Sequence, residues 1–129
     1  MAFGGNSSLA EYVKAKSLEL QPVTYDLGMD IAGLGEPTAC AMYSGLNSGV
    51  QLGDYVVVMG AGYAGQIIAQ CAKLKGAYKV IMVDVLDGKL ELAKSLGVDI
   101  TINTTATDPV AAVTEITTGV GAARVLAAA

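Results

Sequence analysis

The stretch Gly53–Asp84, GDYVVVMGAGYAGQIIAQCAKLKGAYKVIMVD, decides the fold of this 129-residue chain. It opens with Tyr55-Val56-Val57-Val58-Met59, a continuous apolar run of strand length. The cluster Gly60-Ala61-Gly62-Tyr63-Ala64-Gly65 follows, and then Ala64, Ile67, Ile68, Cys71, Ala72 and Leu74 recur at helical spacing. Lys79 to Asp84 (KVIMVD) is a second buried strand. Strands that are apolar throughout, rather than alternating, imply a parallel sheet with helices on both faces.

Downstream the pattern repeats. Asp87 is placed to cap a helix with Leu90, Ala93 and Leu96 on its apolar face and Gly97 at its end. Val98 to Ile102 reads as a third strand. Asp108-Pro109 combines a capping side chain with proline at the first helical position, and Val110, Val113 and Ile116 form the buried face. Arg124 to Ala128 starts a fourth strand. The expected order from residue 53 is β-α-β-α-β-α-β, a three-layer α/β/α arrangement with a parallel sheet in the order 3-2-1-4 and strands near 54–59, 79–84, 98–102 and 124–128.

Upstream, Pro37 suits the first turn of a helix whose apolar stripe is Ala39, Cys40, Tyr43 and Leu46, ended by Gly45 or Gly49. Residues 25–35 read as loop. LAEYV and LELQPV, within 9–23, read as two short strands or extended segments without a sheet of their own, and 1–8 as a frayed lead-in.

Composition excludes several classes. A chain 53% hydrophobic and 16% charged is neither a disordered tail nor a fibre. Eight basic against twelve acidic residues give a formal charge of −4, which argues against nucleic acid or an anionic membrane surface as partner. Histidine is absent, so no His-based triad or His-relayed proton transfer is available within the chain. Two cysteines, Cys40 and Cys71, are too few for a disulfide framework and suggest a reducing compartment. No apolar run reaches membrane-spanning length, and the first residues do not read as a signal peptide. A cytoplasmic setting is expected.

The glycine cluster matches G-x-G-x-x-G between a strand and a helix. Gly60 makes the tight turn, Gly62 lets a pyrophosphate approach the backbone, and Gly65 lets the helix pack closely on the sheet. The N–H groups and positive end of the helix then hold phosphates without a cationic side chain. Asp84 follows Gly65 by 19 residues at the end of the second strand, where a carboxylate can accept the ribose hydroxyls of an adenosine. The same carboxylate repels a 2′-phosphate, and no basic residue directly follows it, so NAD is favoured over NADP. The plainer alternative is that the glycines serve only the turn and Asp84 only caps a loop.

On these residues the chain resembles the cofactor domain of the medium-chain dehydrogenase/reductase family, which includes zinc alcohol, sorbitol and threonine dehydrogenases. Gly53–Asp84 carries the likeness, with DGKLELAKSLGVD after it, LAEYVKAKSLELQPV and EPTACAMYSGL before it. The resemblance implies residues 1–35 as the end of a catalytic domain with a linker, and 36–129 as a partial dinucleotide-binding Rossmann domain, truncated relative to the family's six strands. It implies Gly60, Gly62 and Gly65 at the pyrophosphate, Tyr63 and Ala64 at the helix start beside it, Asp84 at the adenosine ribose and Lys89 near the adenosine edge. Glu36 resembles a carboxylate that approaches the catalytic zinc in the polyol branch, although it also suits a helix start for reasons of macrodipole alone.

The implied activity is hydride transfer between an alcohol and NAD. The family's Cys and His zinc ligands and its nicotinamide-facing segments find no counterpart here, so zinc is expected only in a full-length relative and the isolated chain is expected to be inactive. Two other readings stand beside this one: a non-catalytic dinucleotide- or adenosine-binding module, and a structural remnant packed against a partner chain. The apolar fourth strand predicts self-association or a partner chain that completes the sheet.

Overall fold

The computed structural model describes residues 10–23 and 26–128. The lead-in 1–8, Leu9, Thr24, Tyr25 and Ala129 lie outside the described residues. The chain divides into two compact units, 1–33 and 34–129.

In the first unit no strand forms among the described residues. Lys16 and Leu20 have extended backbones, and between them Ser17–Glu19 makes a single 3-10 turn, closed by the Leu20 N–H on the Ser17 carbonyl at 3.3 Å. The extended alternative therefore holds in part, and the strand alternative does not, because no neighbouring strand supplies ladder partners. The segment read as loop contains a short helix, α1 (Met29–Ala32), whose first carbonyl acceptor is Gly28.

The second unit is built from α2 (Gly35–Leu46), β1 (Tyr55–Met59), α3 (Tyr63–Leu74), β2 (Lys79–Asp84), α4 (Asp87–Ser95), β3 (Ile100–Asn103), α5 (Pro109–Ile116) and β4 (Arg124–Ala127). All strand pairs are parallel and the sheet order is β3-β2-β1-β4. Val57 sits opposite Ile81 on one side and Val125 on the other. Val56, Val58, Val80 and Met82 face α3 and α4 through Ile68, Ala69, Leu90 and Ala93. Val57, Ile81, Val83 and Ile102 face α5 through Val113 and Ile116. Each fully buried Val, Ile or Met of the central strands contributes about 1.5–3 kcal/mol. The expected Rossmann-like three-layer arrangement is present. Among the described residues no helix is long and apolar enough to cross a membrane.

Several helix faces differ from the sequence reading. On α2 the stripe Ala39, Cys40, Tyr43 and Leu46 faces outward, and the buried residues are Ala41 and Gly45. The reason is α3, against which α2 packs. A methyl group on Gly45 would lie 2.6 Å from Cys71 Cβ and 3.4 Å from Ile68 Cα, so only small residues admit the approach. Gly45 thus lies inside the helix, which ends at Asn47. Leu74, at the end of α3, is 84% exposed, and Val110 on α5 is 73% exposed. The half-buried face of α5 is Ala112, Val113 and Ile116.

Two caps contrast. Asp108 accepts the Val110 N–H at 3.0 Å, as the sequence suggested. Asp87 is instead the first residue of α4, after Leu86, and its carboxylate accepts from Asn103 Nδ2 at 2.6 Å. The third strand begins two residues late, at Ile100, because the Val98 N–H turns back to Ala93 and the Asp99 N–H to Val80.

Substituting Gly45→Ala is expected to destabilise the protein by about 1–3 kcal/mol through overpacking against Cys71. Leu74→Ala serves as the exposed control, with a change within about 0.5 kcal/mol. Urea unfolding midpoints compare the two.

Candidate functional site

The chain leaves β1 through Gly60, whose φ of +98° is a conformation that residues with a Cβ rarely adopt. The Gly60 N–H still bonds the Val83 carbonyl at 2.8 Å, and the Ala128 N–H bonds the Met59 carbonyl at 2.8 Å. The turn is therefore flanked by the ends of β2 and β4, where the strand order reverses direction. Open parallel sheets have their crevice at this point.

Each glycine has a separate geometry. A methyl group on Gly65 would lie 1.8 Å from the Gly60 carbonyl oxygen, which backbone cannot yield. Gly62 has an ordinary φ of −73° and nothing within 4 Å of an added Cβ. It is the N-cap of α3 and brings no capping side chain. The first bond of the helix runs from the Gln66 N–H to the Gly62 carbonyl at 3.0 Å. The N–H groups of Tyr63, Ala64 and Gly65 precede it, at the positive end of a twelve-residue helix. Such an end can hold an anionic group by backbone alone.

Asp84 faces this turn across the crevice. Its Oδ2 accepts the Ala61 N–H at 2.7 Å, and its Oδ1 accepts Val85 N–H at 2.8 Å and Leu86 N–H at 2.9 Å. A carboxylate has about four acceptor positions, so these three bonds leave one free on Oδ2. Burial alone would raise the Asp84 carboxyl, but the three backbone N–H groups and the nearby Lys89 charge outweigh it and hold the group below the usual carboxylate range. Gly60, Gly62, Ala64, Gly65, Asp84 and Lys89 are thus gathered at one end of the sheet. The Tyr63 side chain is half exposed and turns toward α2, its hydroxyl 2.5 Å from Thr38 Oγ1.

Gln66 was not apparent from the sequence. Its Nε2 donates to the Ala61 carbonyl at 3.1 Å and to the Lys89 carbonyl at 3.0 Å, so Ala61 is held at both its peptide groups. The available signal was a polar side chain one residue after Gly65, beside the buried positions 68, 69 and 72 of α3.

Glu36 is on the exposed first turn of α2, where it accepts from Cys40 Sγ at 3.2 Å. That hydrogen bond and the Glu36 charge push the Cys40 thiol up. Among the described residues no three His, Cys, Asp or Glu side chains converge to hold a metal ion. The donor set of the described residues does not fit zinc.

A parallel sheet in this order, with a glycine turn and an acidic strand end at the reversal point, defines a Rossmann-type α/β domain. Residues 64–129 match the family model described as zinc-binding dehydrogenase, and the chain belongs to that family. It is 36% identical over 124 residues to a D-arabitol-phosphate dehydrogenase of Enterococcus avium, covering 93% of this chain and 35% of that protein. The fold is similar to benzyl alcohol dehydrogenase of Acinetobacter calcoaceticus, with TM-score 0.69 and 36% identity over 81% of this chain and 29% of that one. It is also similar to a Sinorhizobium meliloti protein described as a zinc-binding dehydrogenase and solved with NADP bound, with TM-score 0.55 and 34% identity over 57% of this chain and 22% of that one. The chain spans about a third of the length of the D-arabitol-phosphate dehydrogenase.

The Asp84 carboxylate predicts a specific acid response. Its native pKa lies below the ordinary 3.8, so the stability it contributes is fully present above that value and is lost as pH falls through the lower native one. Asp84→Asn is expected to be less stable than the parent at pH 7, with the gap closing as pH falls below 3.8. Thermal unfolding of both proteins across pH 2–7 measures it.

Proposed function

We propose that the chain is the adenosine- and pyrophosphate-binding part of an NAD-dependent zinc-type alcohol or polyol dehydrogenase. The observation that carries this is Gly62. The backbone angle of Gly60 and the packing of Gly65 account for two glycines within the fold. Gly62 has neither reason, since its φ is ordinary and the space before it is open. A side chain there would fill the cradle in front of the free N–H groups of α3, so a ligand backed onto that helix end accounts for the third glycine.

The chain's own residues then divide the work of binding. The first-turn N–H groups of Tyr63, Ala64 and Gly65 hold the pyrophosphate. The free acceptor position on Asp84 Oδ2 takes a ribose hydroxyl, and Lys89 lies at the adenosine edge. The bound nicotinamide supplies the hydride acceptor for an alcohol. Asp84 is held ionised by three backbone N–H groups and repels a 2′-phosphate, which supports NAD over NADP. Zinc and its ligands belong in this reading to other parts of the protein, as do the residues that select the alcohol.

The outer edge of β4 supports a further partner. Among the described residues β4 pairs only with β1, and Val125 at its centre is 58% exposed. Its unpaired backbone groups fit one more strand, from elsewhere in the protein or from a second copy.

Calorimetric titration with NAD and NADP tests the cofactor assignment, with NAD expected to bind more tightly. Tighter NADP binding would overturn the role given to Asp84. Gly62→Ser gives the sharper check, because serine is a favourable N-cap and has room here. The variant is expected to unfold at the same temperature or higher, yet to lose at least tenfold in NAD affinity as its hydroxyl occupies the N–H groups. Undiminished NAD binding by that variant would remove the main support for a phosphate at this turn.

A further inference from the structure

We propose that Gln66 is a positioning residue of the dinucleotide site, which holds the glycine turn and the start of α4 at a fixed separation; the proposal rests on the cofactor reading given above. Gln66 is 6% exposed. Its amide nitrogen has two hydrogens, and both are used on main-chain carbonyls, Ala61 at 3.1 Å and Lys89 at 3.0 Å. Those carbonyls belong to the two sides of the site. Ala61 leads into the phosphate-facing Gly62, while Lys89 is in the first turn of α4, from which its charge acts on Asp84.

The orientation of the amide is fixed by these partners. Turned over, its oxygen would meet two carbonyl acceptors. In the orientation present, Oε1 is buried with no hydrogen-bond partner among the described residues. An unpaired buried acceptor is unfavourable, and nearby buried positions of α3 avoid it by being apolar, as at Ile68, Ala69 and Ala72. Core filling alone would place an apolar side chain at 66 as well. What the amide adds is the bridge.

Ala61 is consequently gripped on both flanks, its N–H by Asp84 Oδ2 and its carbonyl by Gln66. The peptide planes that enter Gly62 are set before a ligand arrives, and so is the distance across to α4. A ligand that touches both sides benefits from this preset spacing. One that touches only the Asp84 side does not, because Asp84 is oriented independently by the Val85 and Leu86 N–H groups.

Gln66→Met keeps the length of the side chain and removes both bonds. NMR titration of the full 129-residue chain and of this variant with adenosine and with ADP-ribose compares a one-sided with a two-sided ligand. The expected result is about tenfold weaker ADP-ribose binding, because the turn must then be ordered on binding rather than beforehand, with adenosine affinity unchanged within about twofold. Parallel weakening of both ligands would overturn the proposal in favour of a purely structural role, and so would no weakening of either. Should the variant fail to fold, the side-chain amide protons of Gln66 in the parent protein decide. They are expected to exchange slowly and to shift with ADP-ribose but not with adenosine; rapid exchange or an absent response overturns the proposal. Failure of the parent chain to bind either ligand is a separate result, which overturns the cofactor reading itself and this inference with it.

Discussion

The close approach of α3 to the end of β1 is the constraint on which the other layers depend. Gly65 must lie where any side chain would strike the Gly60 carbonyl, and Ala69 and Ala72 continue the same low ridge along the helix. A helix seated this near the sheet brings its N-terminus directly over the turn. It also presents Cys71 and the backbone at Ile68 to α2, where Gly45 fits against them. Two helices and a sheet are thus stacked through the smallest residues available. The large apolar side chains fill the spaces to either side.

The two faces of the sheet are covered unequally, and simple dimensions explain it. Four strands spaced at about 4.8 Å span close to 20 Å, whereas a helix with its side chains is about 10–12 Å wide. On one face α3 and α4 together cover the strands, with Val56, Val58, Val80 and Met82 beneath them. On the other face α5 is alone in the described residues, and its half-buried residues reach Val57, Ile81, Val83 and Ile102. A cleft of about 270 Å³ is left between α5 and the β1–β4 half, lined by Val57, Met59, Val110 and Val125. Val110 is exposed for this reason, although its helical spacing marks it as core.

Strand positions were legible because burial on both faces leaves a continuous apolar run, a pattern that neither a half-exposed strand nor an amphipathic helix produces. β1 and β2 fall on the residues the sequence indicated, and the sheet order follows from the connections. Helix faces were harder to read. Hydrophobic spacing assumes that the largest apolar residues point inward, but α2 buries Ala41 and Gly45 and turns Tyr43 and Leu46 outward. Its partner is another helix at short range, and short range selects for small residues. The Asp87 cap failed for a different reason. Leu86 takes the N-cap position, its carbonyl accepting the Lys89 and Leu90 N–H groups, so Asp87 falls inside α4 and its carboxylate turns to Asn103 instead.

At the site, the hexapeptide carried most of the information, but its three glycines are not equivalent. Gly60 is required by a backbone angle and Gly65 by a steric contact, so a protein with no ligand would keep both. Only Gly62 faces open space at an ordinary backbone angle. The spacing of Asp84 was visible in the sequence, whereas its bond from the Ala61 N–H was not, since that bond depends on how β1 and β2 end side by side. Gln66 stayed hidden because its partners lie on two other segments, one five residues before it and one 23 residues after. A polar residue beside a helix's buried stripe signals that something must satisfy it. What satisfies it is a property of the packed layers, and the sequence around the residue does not contain it.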